Sequence, residues 1–384
     1  MSKKKPMIPF NKPFIVGKEL SYIAQAVLVE SRTAGDGSFT KKCHEWLEKR
    51  LGCKKALLTH SCTAALEMSA ILCDIGQGDE VIMPSFTFVS TANAFVLRGG
   101  VPVFVDIRPD TLNIDERLIE NAITPKTKAI VPVHYAGMSC EMDVIMALAE
   151  KHDLKVIEDA AQALLSSWKK QYLGTVGHLG CVSFHETKNI ISGEGGALLI
   201  NDERFVQRAE IIREKGTDRS RFFRGEVDKY TWQDIGSSYL PSELTAAFLF
   251  AQLEEAEKII ARRRHIYSCY LDRLQPLVRE GRINISPLTK DCIDNGHLCY
   301  VLTASSEERD ALMEHLRGAG IKAVIHYVPL HSSPAGKRLG RTSGDMSVTD
   351  EVSSHLLRLP LYYDMTEEDV TRVVETVSEF YEQH

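Results

Sequence analysis

The chain has 384 residues, of which 44% are hydrophobic and 26% are charged, and this composition is typical of a folded globular protein. The length is too great for one small hydrophobic core, so we expect two domains. The net charge of −6 argues against a nucleic-acid-binding surface, which needs a basic stripe, and an acidic substrate would have to be held by local cations or helix N-termini.

The N-terminal segment and the cysteines indicate the cell compartment. The first ten residues, MSKKKPMIPF, are basic, but the apolar segment of a secretory signal does not follow. The sequence has no run of 18 apolar residues, so no membrane span is expected. Its nine cysteines are odd in number, scattered and without a CxxC pair. We therefore expect reduced thiols in the cytoplasm, and neither a disulfide framework nor a metal site.

Short β-branched segments alternate with longer helical patterns between about residues 40 and 250. The predicted strands lie at 54–59, 80–84, 101–106, 128–135, 154–159, 180–184 and 196–200. Several are apolar throughout, as expected for strands buried on both faces of a mainly parallel sheet. The segment 140–152 between two of them has apolar residues at helical spacing. Residues 1–250 are therefore predicted to form an N-terminal arm and a doubly wound α/β domain with a seven-stranded sheet.

The pattern changes after about residue 250. Residues 253–274 form one long charged helical pattern, and a strand-like segment follows at 297–304. A second helix is predicted at 307–320, and a helical tail ends the chain. Residues 251–384 are therefore predicted to form a smaller α+β domain.

Polar and aromatic residues stand where several predicted strands end. In an open α/β sheet, ligands bind in the crevice at the carboxyl ends of the strands, so these residues are candidates for a site. They are Ser61, Cys62 and Thr63 at the start of a helix, then Phe86 and Phe88, then Asp159 and Gln162, and finally Ser183, His185 and Lys188.

Each candidate also has a simpler structural explanation. The Ser61 segment and Asp159 can be helix caps, and Phe88 can be a core residue. However, Asp159 follows an apolar strand, so its carboxylate should be buried and needs a cation that its neighbours do not provide. Lys188 follows a buried strand directly, whereas most lysines are solvated surface groups.

One ligand satisfies all these groups together, namely pyridoxal 5′-phosphate (PLP). Its phosphate suits a helix N-terminus, its ring suits an aromatic face, and its pyridinium suits the buried Asp159. Its aldehyde suits Lys188, which would form the Schiff base and then act as the proton-transferring base. Burial beside a cationic cofactor should lower the pKa of this lysine towards neutrality. The glycines at 193, 195 and 196 would let the backbone turn tightly beside the cofactor.

Five motifs together resemble the DegT/StrS family of nucleotide-sugar aminotransferases, which have the fold-type I PLP architecture. They are SCTAAL at 61–66, PSFTFVSTANA at 84–94, EDAAQ at 158–162, SFHETKN at 183–189 and EGG at 194–196. The resemblance runs from IPFNKP at 8–13 to HYVPLH at 326–331, so it covers nearly the whole chain.

The resemblance implies a role for each matching residue. Lys188 would form the Schiff base, Asp159 would pair with the pyridine nitrogen, Gln162 would meet the ring hydroxyl and Phe88 would stack on the ring. Ser183 and the amides of Cys62 and Thr63 would hold the phosphate, and His185, His326 and Tyr327 would face the sugar substrate.

The sequence departs from the family pattern at two positions. Cys62 replaces a glycine, which should do little harm because backbone amides hold the phosphate. Ser238 replaces an asparagine that reaches the phosphate of the neighbouring subunit in relatives, so a shorter side chain would have to make this contact here. A homodimer with shared active sites remains the expectation from the resemblance.

Within the family, several segments resemble enzymes that act on dTDP-linked sugars, among them TAGDGSFTKKC at 33–43 and the stretch 210–240. This implies transfer of the amino group of L-glutamate to C4 of dTDP-4-keto-6-deoxy-D-glucose. The products would be dTDP-4-amino-4,6-dideoxy-D-galactose, a precursor of surface glycans such as enterobacterial common antigen, and 2-oxoglutarate.

Three alternatives stand beside this prediction. The first is the C4 epimer, dTDP-4-amino-4,6-dideoxy-D-glucose, which the sequence does not exclude. The second is a sugar 3-dehydratase on the same fold, against which Lys188 argues because that group typically has histidine there. The third is a non-catalytic regulatory protein, against which the full set of site residues argues.

Overall fold

A computed structural model describes residues 6–285, 289 and 291–383 of the chain. The basic residues 3–5, which enter the prediction that no secretory signal is present, lie outside the described residues. The helices are α1 (Glu19–Ala24), α2 (Ser38–Leu51), α3 (Cys62–Leu72), α4 (Val89–Val96), α5 (Glu116–Ala122), α6 (Met142–Lys151), α7 (Val206–Arg213), α8 (Arg219–Phe223), α9 (Glu243–Glu254), α10 (Ala256–Arg279), α11 (Ser306–Gly318), α12 (Pro334–Leu339), α13 (Ser347–His355) and α14 (Glu367–Gln383). Within the described ranges, no helix combines the length and the apolarity that crossing a membrane requires.

The strands form one large sheet and two small ones. They are β1 (Lys55–Thr59), β2 (Glu80–Pro84), β3 (Val101–Val105), β4 (Thr127–Ile130), β5 (Lys155–Asp159), β6 (Ser167–Trp168), β7 (Gln171–Tyr172), β8 (Leu179–Ser183), β9 (Gly196–Ile200), β10 (Cys292–Ile293), β11 (Cys299–Leu302), β12 (Arg341–Thr342) and β13 (Leu356–Leu359). The large sheet has the order β1-β9-β8-β5-β4-β2-β3-β12, and only β9 pairs antiparallel with its neighbours. The predicted α/β fold with a mainly parallel sheet is confirmed.

All seven predicted strands are present, but the fourth is shorter than expected. The prediction extended it to residue 135, whereas β4 ends at Ile130. Pro132 follows and has no backbone N–H with which to continue the ladder. Only an isolated bridge joins Val133 to Asp159, and a 3₁₀ turn at Tyr135–Gly137 then carries the chain across the end of the sheet.

The large sheet has an eighth strand, which the sequence analysis did not predict. The two-residue strand β12 returns from the C-terminal part of the chain and pairs parallel with β3. Arg341 donates to both carboxylate oxygens of Glu80, at 2.8 Å each. A two-residue strand is too short for periodicity to reveal it, and its partner is more than 200 residues away.

The two faces of the large sheet pack against separate helical layers. Neighbouring residues point to opposite faces, as strand geometry requires. Leu58 and Val156 belong to one apolar cluster, whereas Leu57 and Ile157 belong to the other. Helices α2 and α9 contribute to the first cluster, and α3 contributes to the second. The sheet is therefore buried on both sides, and its strand ends remain available for ligands.

The C-terminal part has its own apolar cluster, built from α10, α11, α14 and the antiparallel pair β11–β13. The helix predicted at 253–274 is instead divided, because α9 ends at Glu254 and α10 begins at Ala256. The sequence contains neither proline nor glycine at this break, so its pattern does not reveal it. The predicted domain boundary at residues 250 and 251 falls within α9 and stays a prediction.

Candidate active site

A cavity of about 700 Å³ lies where the strands of the large sheet end and the C-terminal part covers them. Ten of the eleven predicted site residues line it: Cys62, Thr63, Phe88, Asp159, Gln162, Ser183, His185, Lys188, His326 and Tyr327. The chain positions of these residues span more than 260 places. Folding therefore brings together the groups that the sequence analysis selected at the strand ends.

Lys188 lies in the turn between β8 and β9. Its backbone N–H donates to the carbonyl of His185 at 2.9 Å, and Gly193 closes the turn with a positive φ of 81°. A Cβ atom on Gly196 would lie 2.4 Å from the backbone nitrogen of Cys62, so glycine lets β9 approach the start of α3. Two of the glycines that follow the lysine thus shape the site through the backbone.

The ammonium group of Lys188 faces the cavity without a counter-ion among the described residues. Burial lowers the pKa of Lys188, and the positive charge of Arg358 lowers it further, while Cys62 and Asp159 raise it. Removal of an amine from water disfavours its charged form, so burial prevails here. The amine of Lys188 should therefore lose its proton at a lower pH than the amine of a surface lysine.

Asp159 ends β5 and is almost fully buried. Its Oδ2 accepts a hydrogen bond from the hydroxyl of Thr91 at 2.7 Å, and its Oδ1 accepts one from the backbone N–H of Ala161 at 3.1 Å. No cation lies within ion-pair distance of it in the described ranges. The hydrogen-bond donors to this buried carboxylate are both neutral, and this environment suits a positively charged ligand beside it.

The start of α3 forms an anion-binding position. The Ser61 hydroxyl accepts from the N–H of Ala64 at 3.1 Å and so caps the helix. The amides of Cys62 and Thr63 donate to no described residue and are free to bind an anion. Ser183 lines the same cavity from the end of β8. The Ser61 segment is therefore both a cap, as the simpler explanation held, and a candidate phosphate site.

The two phenylalanines of the predicted aromatic face have different environments. Phe86 is fully buried, with its ring centroid 5.1 Å from that of Tyr135 and 5.5 Å from that of Tyr327. Phe88 is 58% exposed and lines the cavity. The core explanation weighed for Phe88 is therefore wrong, because Phe88 is exposed to the cavity and Phe86 is the core residue instead. Its stacking on a cofactor stays a prediction.

Gln162, His326 and Tyr327 form the opposite wall. Gln162 donates through Nε2 to the hydroxyl of Tyr327 at 2.8 Å, and its Oε1 accepts from the N–H of Ala136 at 2.7 Å. The rings of His326 and Tyr327 are stacked, with centroids 3.7 Å apart. Burial lowers the pKa of His326 well below its ordinary value and raises that of Tyr327. The wall is thus neutral and polar, as recognition of a hydroxylated ligand requires.

His185 and Ser238 differ in position. The ring of His185 lies at the cavity edge, where Nδ1 is 2.9 Å from the hydroxyl of Thr187 and Nε2 is 3.6 Å from Glu194. Ser238 is exposed, forms an isolated bridge with Glu214 and does not line the cavity. Its predicted contact reaches the neighbouring subunit, so this role stays a prediction.

The cavity also contains groups that were not predicted from the sequence, among them Thr91, His297 and Arg358. Burial lowers the pKa of His297 well below its ordinary value, and the nearby Lys188 lowers it further. Arg358 has a visible signal, because it is the only charged residue in the apolar run LLRLPL at 356–361. Thr91 has none, since its role depends on how α4 packs against β5.

The residues present fit PLP. An amine and a carboxylate without counter-ions, an exposed aromatic ring and unpaired amides at a helix start line one cavity. Lys188 would hold the aldehyde, Asp159 the pyridine nitrogen, Phe88 the ring face, and α3 with Ser183 the phosphate. Each of these matches satisfies a group that the protein alone leaves unsatisfied.

Comparisons with known proteins give a consistent result. A family model described as the DegT/DnrJ/EryC1/StrS aminotransferase family matches residues 16–378. GDP-perosamine synthase of Escherichia coli O157:H7 is 31% identical, over 97% of this chain and 98% of that protein. A pleiotropic regulatory protein of Geobacillus stearothermophilus is 32% identical, over 90% of each chain. A putative sugar aminotransferase of Streptococcus pneumoniae, solved in its PLP form, is 27% identical, with a TM-score of 0.89 over 98% of this chain and 99% of that chain.

Proposed function

Since this chain belongs to the DegT/DnrJ/EryC1/StrS aminotransferase family, we propose that it transfers the amino group of L-glutamate to C4 of dTDP-4-keto-6-deoxy-D-glucose. It is a PLP-dependent sugar aminotransferase, and the identity of the donor, acceptor and product is the proposal. The products are dTDP-4-amino-4,6-dideoxy-D-galactose and 2-oxoglutarate. The nine cysteines are all free, which supports the proposal that it works in the cytoplasm, in the synthesis of a surface glycan.

PLP supplies an aldehyde that takes up the amino group and a ring that accepts electrons from the carbon losing its proton. Asp159 would keep the pyridine nitrogen protonated, and Thr91 orients that carboxylate. Phe88 would cover one face of the ring, and Gln162 would bind the ring hydroxyl. The amides of Cys62 and Thr63 and the hydroxyl of Ser183 would hold the phosphate.

Lys188 is the catalytic base. With PLP and an amino donor bound, the Nζ of Lys188 would remove the proton from the donor Cα and hold it for the transfer that completes this half of the reaction. The same amine moves a proton in the opposite direction when the keto sugar is aminated. A surface lysine remains protonated at neutral pH. The lowered pKa of Lys188 increases the fraction of its amine that is unprotonated and can act as a base.

His185, His326 and Tyr327 position the sugar. His326 shares a hydrogen bond of 2.8 Å between its Nδ1 and the hydroxyl of Tyr135, so its ring orientation is fixed and its Nε2 is available to a ligand. Gln162 donates a hydrogen bond to the hydroxyl of Tyr327. This bond links the residues proposed to bind the sugar to a residue proposed to bind the cofactor. His326 and Tyr327 are held neutral by burial and can bind sugar hydroxyls without a charge penalty.

One observation carries this proposal: the buried amine of Lys188 and the buried carboxylate of Asp159 line the same cavity, and neither forms an ion pair with a described residue. A buried charged side chain without an ion-pair partner lowers the free energy of unfolding. Proteins retain such side chains mainly where they take part in binding or catalysis. A purely structural role would leave each with a partner of opposite charge.

The first experiment is an absorbance spectrum of the PLP-loaded protein before and after addition of L-glutamate. We expect visible absorbance in the wild type that L-glutamate bleaches and dTDP-4-keto-6-deoxy-D-glucose restores, and no bleaching in Lys188→Ala. NMR of the sugar product then gives the configuration at C4. Failure of the wild type to bind PLP would refute the proposal.

Two alternatives are tested by the same measurement. An equatorial amino group at C4 would identify the product as the epimer dTDP-4-amino-4,6-dideoxy-D-glucose. The relative named as a regulatory protein raises the alternative of a non-catalytic function. That alternative predicts that L-glutamate leaves the spectrum unchanged and that Lys188→Ala retains full biological function.

We also propose a homodimer with shared active sites. Exposed apolar side chains support it, among them Leu28 at 78% exposure, Phe223 at 68% and Trp232 at 81%. Ser238 lies six residues beyond Trp232 and would approach the phosphate of the neighbouring subunit. Light scattering should give twice the monomer mass. Ser238→Trp should weaken PLP binding, whereas Ser268→Trp on the exposed face of α10 should not.

A further inference from the structure

Arg358 is a cation in the cavity whose hydrogen-bonding capacity is largely unused. It lies on β13, and its guanidinium stands 4.8 Å from the ring centroid of Phe10. One Nη donates to the carbonyl of Ile325 at 3.0 Å. Its Nε is buried without an acceptor, and no carboxylate lies within ion-pair distance in the described part of the chain.

This arrangement differs from that of Arg263, the other arginine of the cavity. Arg263 donates to the carbonyls of Gly296, His297 and Leu361, at distances from 2.7 to 3.3 Å. Backbone acceptors thus satisfy Arg263, and its role is structural. Arg358 keeps a buried N–H without a partner, and such a group is costly unless a ligand completes it.

The missing partner is an anion. Guanidinium presents its donors in a planar fork that matches a carboxylate or a phosphate, and the bond is strongest where water is excluded. The cofactor phosphate has its own position at the start of α3, on a different element from β13. Arg358 instead lies beside Ile325, next to His326, on the wall proposed to face substrates.

The reacting amine of Lys188 lines the same cavity as this arginine. The positive charge of Arg358 acts on both Lys188 and His326, lowering the pKa of each. Lys188 removes a proton from the donor Cα in the proposed reaction, and an amino acid bears a carboxylate on that same carbon. A carboxylate bound near Lys188 would therefore hold the Cα–H bond towards the base.

We propose that Arg358 binds a carboxylate of the amino donor and thereby selects an amino acid for the first half of the reaction. This inference rests on the proposed aminotransferase function and deepens it. The donor carboxylate accepts from the Nε and the free Nη of Arg358, while Phe10 supports the guanidinium face. Arg358 is a positioning residue for the donor, and the sugar half of the reaction does not require its fork.

Two anionic groups could use this guanidinium: the donor carboxylate and the diphosphate of a nucleotide sugar. The two halves of an aminotransferase reaction can be measured separately, and these measurements show which of the two anionic groups Arg358 binds. In the first, PLP-loaded enzyme is mixed with L-glutamate and the loss of visible absorbance is followed. In the second, aminated enzyme is mixed with dTDP-4-keto-6-deoxy-D-glucose and the absorbance recovers.

The variants are Arg358→Gln, Arg358→Lys and, as a control, Arg317→Gln on the exposed face of α11. We expect Arg358→Gln to raise the half-saturating L-glutamate concentration about 10- to 100-fold. The half-saturating keto-sugar concentration should change less than about twofold. Arg358→Lys, which keeps the charge but loses the fork, should be intermediate, and the control should match the wild type.

A donor without the Cα carboxylate gives a second readout. 4-Aminobutyrate should react poorly with the wild type, and Arg358→Gln should reduce the preference for L-glutamate over it. A merely structural role for Arg358 would not change this ratio. A spectrum identical to that of the wild type shows that a PLP-loaded variant is folded. If Arg358→Gln does not fold, the same measurements are made with Arg358→Lys.

Two other outcomes would contradict the proposed role of Arg358 in binding the donor carboxylate. A larger effect on the keto-sugar half would assign Arg358 to the diphosphate, and equal L-glutamate saturation in wild type and variants would exclude any anion role. Either result leaves the aminotransferase function intact. If the wild type itself reacts with no amino donor, the proposed function fails first.

Discussion

The hydroxyl of Thr91 donates to Oδ2 of Asp159 across 2.7 Å, and this bond joins the first turn of α4 to the end of β5. Thr91 is fully buried, and its hydroxyl also lies 2.8 Å from that of Thr87. The carboxylate proposed to face the cofactor nitrogen is therefore fixed from a neighbouring element. Its orientation does not depend on its own strand alone.

Thr91→Val should weaken PLP binding and slow turnover while leaving the fold intact. Valine has nearly the same shape, so the change removes the hydrogen bond to the Asp159 carboxylate together with the contact to the Thr87 hydroxyl. Loss of the hydrogen bond to the charged group alone costs about 1.5–3 kcal/mol. We expect at least a tenfold increase in the Kd for PLP, measured by titration of the cofactor-free protein. Thr376→Val, a comparable change in α14, is the control and should bind PLP normally. An unchanged Kd would show that Asp159 needs no help from Thr91.

Lys188→Met should stabilise the cofactor-free protein at neutral pH although it abolishes activity. The folded protein lowers the pKa of Lys188, so below its ordinary value of 10.5 the unfolded chain binds the proton more strongly. The penalty of the buried charge is fully present below the folded pKa and decreases as the pH rises from that value to 10.5. Methionine should therefore increase the free energy of unfolding at pH 7 by about 1–2 kcal/mol.

The measurement is denaturant unfolding of cofactor-free protein at pH 7 and pH 10. The advantage of Lys188→Met should shrink between the two values, whereas Lys126→Met, an exposed change, should show no such trend. A variant less stable than the wild type at both values would mean that the lysine is not strained by burial.

His44 should make the fold sensitive to mild acid. Its Nε2 accepts a hydrogen bond from the N–H of Leu58 at 2.9 Å, so the ring must be neutral at that atom. Burial lowers the pKa of His44 well below 6.5, and the charge of Arg213 lowers it further. As the pH falls below 6.5, the unfolded chain gains the proton first, and up to about 1.4 kcal/mol of stability is lost per pH unit.

His44→Gln keeps an acceptor near the same position and cannot become charged. Its stability should therefore fall less steeply between pH 6.5 and 5 than that of the wild type, as thermal unfolding can measure. His265→Gln, on the surface, should keep the wild-type slope. Identical slopes for all three proteins would remove His44 as a source of acid sensitivity.

Arg341 should anchor the eighth strand to the sheet. It forms the bidentate contact with Glu80, whose side chain is largely buried and also accepts from Thr124. Arg341→Met leaves that carboxylate without its cation, which should cost about 2–3 kcal/mol in thermal unfolding. The neighbouring Arg338→Met should cost far less, because Arg338 is exposed.

The pH dependence of this contribution has a defined sign. Hydrogen bonding to Arg341 lowers the pKa of Glu80, so its stabilisation is present above the ordinary value of 4.5 and is lost as the pH falls through the folded value. The difference between the wild type and Arg341→Met should therefore narrow at acidic pH. A constant difference would assign the effect to packing.

The sheet and most of the cavity could be predicted because their signals are local. Apolar strands mark the sheet, and Asp159 and Lys188 stand directly after two of them, where parallel strands end together. The sequence could not separate Phe86 from Phe88, because both follow β2 and only packing against Tyr135 distinguishes them.

The remaining features depend on contacts between distant segments. Strand β12 is defined by its pairing with β3, and Thr91 becomes important only when α4 meets β5. The break between α9 and α10 has no local marker in the sequence. Arg358 was visible as a lone charge in an apolar run, but its meaning depends on which cavity that strand borders.

The return of β12 to the large sheet has a consequence for dissecting the chain. A fragment of residues 1–250 would contain the other seven strands but would expose the open edge of β3, an apolar strand with unpaired backbone donors and acceptors. Such edges pair readily with other chains, so this fragment should aggregate during expression. Residues 341–342 thus protect the sheet of the N-terminal part from self-association, and a soluble minimal version must retain them.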